Sequence, residues 1–202
     1  MKSEFPGSLI IFEGIDGTGK STQVTLLSAA LEELGHTVIT SREPTDGPFG
    51  QKLRASMVEG RLSPTDELAL FHDDRRDHVE HLILPALEAG KIVILDRYYF
   101  STMAYQGARG FDPQEIQRQN EDFAPAPDHV LLLEIPIEIA LERIGNRDGS
   151  GNTFEQKENL EACDRIFTSL TEPFLHRVNA NQPPEAVHRD VLAHILAALP
   201  TP

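Results

Sequence analysis

Eight residues near the amino terminus constrain this chain more than anything else in it: Gly14-Ile15-Asp16-Gly17-Thr18-Gly19-Lys20-Ser21. They fit the spacing G-x-x-x-x-G-K-[ST], a glycine loop that wraps phosphate groups. The flanks suit such a loop. Leu9-Ile10-Ile11-Phe12 is an apolar run of strand type just before it, and beyond Ser21 the residues Val24, Leu27, Leu31 and Leu34 recur at helical spacing. Glycines let successive N–H groups curl toward one anion, and a helix opening there adds its unpaired N–H groups and positive dipole end. Gly14 to Ser21, with Thr22, are therefore the expected nucleotide-binding residues. Lys20 is placed to reach the β- and γ-phosphates, and the Ser21 hydroxyl is a ligand for Mg2+. As an exposed loop residue, Lys20 is expected to add little to stability. A turn that merely joins strand to helix has no use for Lys-Ser at that offset.

The rest of the chain alternates strands with helices. Thr37–Thr40 reads as a second strand after Gly35, a helix C-cap. Ser63-Pro64-Thr65-Asp66 opens a long helix, with a cap residue, proline at the first helical position and an acid three residues on. That helix is expected to reach about Gly90, bent near Pro85. Lys91–Leu95 and Val130–Ile135 are continuous apolar runs, as in parallel strands buried on both faces. Helices follow over about 136–147 and 154–170, then a short strand over 177–180 and a helix over 185–199. This alternation means βαβ units, a parallel sheet, and ligands at the carboxyl ends of its strands. Thr45–Gly50 and Asp148–Asn152 read as flexible active-site loops.

The length of 202 residues with 40% hydrophobic composition suits one α/β domain with a real core. A net charge of −14 argues against binding of DNA, RNA or anionic lipid, but not of a nucleotide, which a few local arginines decide. The single cysteine, Cys163, excludes an intrachain disulfide and has no nucleophile arrangement around it. The amino terminus is too polar for a signal peptide, and no run approaches the roughly 18 apolar residues of a membrane span. A cytoplasmic protein is expected.

Three further segments fall where function belongs. Arg42 and Arg97 end different strands on one edge of the sheet, where two guanidiniums clamp a second phosphate; the other reading is a pair of surface salt bridges. Arg97, Ser101 and Tyr105 are spaced i, i+4, i+8 and so share a helix face. Phe71 and Arg75 are also one turn apart. An aromatic face beside a guanidinium stacks a base and donates to its carbonyl edge, whereas Phe71 taken alone reads as core. Arg143 and Arg147 lie off the apolar stripe of their helix and lead into a glycine-rich loop, as in a lid closing over phosphates; a solvated helix face is the alternative. His78 and His81, among Asp73, Asp74 and Asp77, present no complete metal-ligand set and read as a solvated acidic face.

Together these blocks resemble the thymidylate kinases from Ile10 to about Pro173. The P-loop, continued by Thr22-Gln23, is similar to that family's. Arg42-Glu43-Pro44 resembles its arginine loop, and Phe71 with Asp74-Arg75 resembles the segment that holds the thymine ring. Asp96-Arg97-Tyr98-Tyr99-Phe100-Ser101, continuing to Ala104-Tyr105-Gln106-Gly107, resembles its most diagnostic block. The resemblance implies a P-loop three-layer αβα fold, a five-stranded parallel sheet with helices on both faces, a short lid over about 143–155, and a homodimer. It implies transfer of a phosphoryl group from ATP to dTMP, with Mg2+ as cofactor. Arg42 and Arg97 would bind the acceptor phosphate. Asp16 would lie near the acceptor sugar and phosphates, and Ser101, Tyr105 and Gln106 would line the acceptor site. Asp96 would hold Mg2+ through water. Members with glycine in mid-loop, as Gly17 is here, supply the catalytic arginine from the lid, which points to Arg143 or Arg147. The chain reads Thr45-Asp46-Gly47-Pro48 where the family commonly has a Gly-Gly pair, and Glu134 where aspartate is more usual. A kinase for another nucleoside monophosphate, or a silent nucleotide-binding protein, is the alternative.

Overall fold

The structure, a computed structural model, describes residues 5–60, 62–148 and 153–199. Five strands form one parallel sheet in the order β2-β3-β1-β4-β5: β1 Ser8–Glu13, β2 Val38–Arg42, β3 Ile92–Asp96, β4 His129–Glu134 and β5 Leu175–Asn179. Each expected strand is present, within two residues at its ends. Leu9–Phe12, Val93–Leu95 and Val130–Leu133 are buried, which is why those strands read as unbroken apolar runs.

Strand order and handedness place the helices. Right-handed crossovers put connections that run in opposite directions along the sheet on opposite faces. Only the β1-to-β2 connection, through α1 Lys20–Glu33, runs one way. Those through α2 Pro48–Glu59, α3 Pro64–His78, α4 Leu84–Glu88, α5 Tyr99–Gly107, α6 Pro113–Glu121, α7 Ile137–Asp148 and α8 Thr153–Ser169 run the other. The last helix, α9 Pro184–Ala198, returns to pack on α1, while α5 packs on α3, α6 and α8. The result is a three-layer αβα sandwich. No helix among the described residues is long and apolar enough to cross a membrane.

Two expectations change. The stretch Thr45–Gly50 is not a flexible loop: α2 begins at Pro48, with proline in its first turn. Thr45 is pinned by the Asp74 carboxylate through its N–H (2.8 Å) and hydroxyl (2.6 Å). The long helix does open at Ser63, whose hydroxyl accepts from the Asp66 N–H at 3.2 Å. It then widens into a π-turn at Val79–Ile83 before continuing as α4. Pro85 has no N–H to donate to the preceding turn, and the π-turn just before it accommodates that loss.

Candidate active site

The carboxyl ends of β1, β2 and β3 bring the three blocks together. Arg42 and Phe12 both stand opposite Asp96 in register, so the P-loop, the arginine loop and the Asp96-Arg97-Tyr98 block share one edge. The Ser21 hydroxyl, in the first turn of α1, donates to the Asp96 carboxylate. Ser21, Asp96, Thr40, Ser41, Arg42 and Asp46 line a cleft of about 370 Å³. A hydroxyl and a carboxylate meeting there are hard oxygen donors of the kind Mg2+ takes.

The P-loop is folded around its own lysine. Lys20 Nζ donates to the carbonyls of Gly14 (3.0 Å) and Ile15 (2.9 Å) and lies 3.4 Å from the Thr18 hydroxyl. It is 6% exposed, so the expectation of an exposed lysine is corrected: the loop's curl encloses the side chain as well as the anion site. Burial, reinforced by the Arg97 charge, pulls its pKa down to about 7 against the carboxylates of Asp16, Asp96 and Glu13. Gly17 at the loop's tip has φ +85°, and a Cβ there would lie 2.9 Å from the Ala140 carbonyl of α7. The tip must therefore be glycine for α7 to seat. Once seated, α7 brings Arg143 over the loop, where Nη1 donates to the Gly17 carbonyl at 3.1 Å. The side chain of Arg147 and the segment 149–152 lie outside the described residues.

Arg97 is the centre of a second polar cluster beside the P-loop. It precedes α5 rather than lying on it, and is the one non-glycine residue among those described with positive φ, +75°. Such a conformation costs of order 1–3 kcal/mol and persists where surroundings impose it. Those surroundings are Asp16 (2.7 Å to Nη2), Ser101 (2.8 Å to Nη1) and Tyr105 (3.5 Å), with Tyr105 donating to Asp16 at 3.0 Å. The expected trio of Arg97, Ser101 and Tyr105 does converge, through this turn instead of a shared helix face. Burial alone would lower the Arg97 pKa, but the charges of Tyr105, Asp16, Glu13 and Asp96 outweigh it and raise the value. Gln106 is buried, and its Oε1 has no hydrogen-bond partner among the described residues.

Sequence reasoning missed Glu13, the fully buried last residue of β1. Its carboxylate accepts from the N–H groups of Tyr98 (2.7 Å) and Ser101 (3.1 Å) and from the Ser101 hydroxyl (2.6 Å). It thus caps α5 from another strand and ties the P-loop to the Arg97 turn. Burial is the largest influence on its pKa and raises it. The signal was an acid ending an otherwise apolar strand, at a position that faces the core.

Arg75 is not an open donor. It is 1% exposed, and each guanidinium nitrogen has a partner: Nε with Glu43 (2.8 Å), Nη1 with Asn120 (2.6 Å), Nη2 with Thr102 (2.9 Å). His78 joins the same carboxylate at 3.1 Å. Burial pushes the Glu43 pKa up, but Arg75 and His78 outweigh it and the carboxyl stays below its usual value. A buried carboxylate needs such partners, which is why the arginine turned inward. Asp74 and His78 are likewise buried, correcting the reading of a wholly solvated face; His81 and Asp77 remain partly open to water. No cluster of metal ligands occurs among the described residues. Phe71 is half-buried and stands apart from the apolar core, so the core reading of it does not hold. Arg42 is exposed and pairs with Asp46, and Cys163 is buried with its thiol pushed up to about 12, chiefly by burial.

The family model described as thymidylate kinase matches residues 12–191. The chain is 54% identical over 196 residues to a thymidylate kinase of Akkermansia muciniphila, covering 97% of this chain and 93% of that one. It is 50% identical over 195 residues to that of Desulfotalea psychrophila, covering 96% of each. With that of Brachyspira hyodysenteriae it shares 42% over 186 residues, covering 92% of each.

Proposed function

The chain belongs to the thymidylate kinase family, and on that premise we propose that it transfers the γ-phosphoryl of ATP to dTMP, giving ADP and dTDP, in the cleft over its P-loop. One observation carries the assignment of roles: Arg97 is forced into a strained turn and aimed across the P-loop by Asp16, Ser101 and Tyr105. Lys20, the loop N–H groups from Gly14 to Ser21, and Thr22 hold the donor phosphates. Ser21 and Asp96 would hold Mg2+, Asp96 by way of water, and the ion would supply neutralisation of the phosphate charge.

Arg42 and Arg97 bind the acceptor phosphate, Asp16 and Tyr105 flank the sugar, and Gln106 offers a buried acceptor atom to the nucleotide. Phe71 stacks the thymine. Arg75 positions the base edge from behind, through Thr102. That hydroxyl accepts from the guanidinium and so has its own proton left to donate. The acceptor phosphate has a second pKa of about 6, so no strong general base is required and catalysis is positioning plus charge neutralisation. Arg143 or Arg147, in a lid over about 143–155, stabilises the charge in flight. A single kinase domain, assembled as a cytoplasmic homodimer, completes the proposal.

The test is a panel of acceptors, read as ADP release with ATP and Mg2+. The Thr102 hydroxyl can donate to the O4 of thymine or uracil, whereas toward the amino group of cytosine it must turn to accept. The margin against cytosine is therefore a net hydrogen-bond difference of about 0.5–1.5 kcal/mol, or about two- to tenfold in kcat/KM. The expected order is dTMP, then dUMP, with dCMP and UMP poor and purine monophosphates poorer still. Equal efficiency with dCMP or GMP would contradict it.

A further inference from the structure

The loop after β2 places a carboxylate on the arginine assigned to the acceptor phosphate. Arg42 Nη2 donates to both oxygens of Asp46, at 2.9 and 3.2 Å, and Arg54 Nη2 donates to the same Oδ1 at 2.9 Å. The backbone on either side is fixed. Asp74 holds Thr45, the Thr45 hydroxyl accepts from the Gly47 N–H at 3.0 Å, and Gln51 Nε2 donates to the Asp46 carbonyl at 2.8 Å. Arg54 also donates to the Pro44 carbonyl at 2.9 Å. The Asp46 side chain is nonetheless 73% exposed, at the mouth of the cleft that Ser21 and Asp96 also line. A carboxylate thus stands between two cations at the cleft where a phosphate is to bind.

We propose that Asp46 is a competing counter-ion that sets affinity for the acceptor's phosphate, occupying Arg42 until the nucleotide arrives and then passing to Arg54. The proposal rests on the assignment of Arg42 above. A phosphate monoester carries −1.5 to −2 near neutral pH and outbids a single carboxylate for one guanidinium. Its approach also brings like charges together, and Arg54 is the cation that can then hold Asp46 back. Exchange is easy because a solvated ion pair is weak. Asp46 therefore acts only on ligands that carry a phosphate.

Calorimetric binding of dTMP and of thymidine to the full-length protein tests this. Asp46→Asn removes the charge from an exposed loop residue and keeps its size. It should tighten dTMP binding about two- to fivefold, the range of an exposed pair, and leave thymidine unchanged. Unchanged or weaker dTMP binding would overturn the proposal, as would equal tightening of both ligands, the mark of a general change in the loop. Arg54→Ala should weaken dTMP binding while Asp46 is present and have no effect in the Asp46→Asn background. Equal loss in both backgrounds would show that Arg54 acts through the loop alone and would overturn the exchange. If the wild-type protein phosphorylates dTMP and neither variant shows its effect, the kinase reading stands and this one falls. Wild-type protein that neither binds nor phosphorylates dTMP overturns both.

Discussion

Lys20 is held by the loop that is to hold phosphate. Its amine rests on the carbonyls of Gly14 and Ile15, so a donor phosphate meets a group already in position, and the phosphate's own charge favours the protonated form that burial disfavours. Lys20→Ala should lower kcat by about a hundredfold or more, the scale for loss of one preorganised donor in a water-excluded site. Because Lys20 is buried, a measurable loss of Tm should accompany it. Near-normal kcat would refute its role. Arg143, one of the two arginines proposed as the lid cation, reaches the P-loop at the Gly17 carbonyl. Arg143→Ala should reduce kcat by about a hundredfold, below the range of arginine fingers elsewhere. Single-turnover rates check this, and wild-type rates would move the role to Arg147. Phe71→Ala should raise KM for dTMP, since stacking on an aromatic ring is worth about 1–3 kcal/mol per base, and should blunt discrimination because a base no longer held in one plane meets its edge contacts less strictly. Phe71 supports no core packing whose loss would mask the effect.

At the scale of elements, the site depends on how α7 and α5 are seated. Alanine at position 17 would drive its Cβ into the Ala140 carbonyl at a positive φ, so Gly17→Ala should shift α7 and carry Arg143 away. The expected result is a kcat at least tenfold lower with ATP binding less affected; unchanged kcat would show that the lid does not depend on this contact. On the far edge of the sheet, His176 of β5 stacks on His194 of α9 at 3.8 Å, and His129 of β4 meets His194 edge-on at 5.5 Å. Burial lowers the pKa of His194, with His176 and His129 adding repulsion. Burial also lowers that of His129, against the pull of Asp128. Because the folded pKa lies below the unfolded value of about 6.5, their contribution is whole above that pH and is lost as pH falls through it. Tm should drop as pH falls from 7 to 5, and His194→Phe, which keeps the stacking, should flatten the slope. An unaltered slope would place the acid sensitivity elsewhere, His72 with its pKa near 4 being the next candidate.

For the whole molecule, what was legible in the sequence is what local spacing encodes. The P-loop, five strands and the Asp96-Arg97-Tyr98 block are set by residues adjacent in the chain, and strand order then brings them to one edge. What was not legible depends on partners far apart. Arg75 was expected to face a base because i, i+4 spacing reports only its own helix, whereas Glu43, 32 residues away, determines which way it turns. Glu13 caps a helix 85 residues on. The α2 helix was hidden because Thr-Asp-Gly-Pro-Phe-Gly reads as turn chemistry, although a glycine followed by proline also opens a helix. Brought together, these distant pieces are proposed to form one site moving phosphoryl from ATP to dTMP. The most direct test follows γ-labelled ATP with Mg2+ and dTMP. Label should appear in dTDP, dependent on dTMP and nearly abolished by Lys20→Ala. Label appearing only as inorganic phosphate, or in dTDP at the same rate in the Lys20→Ala variant, would contradict it.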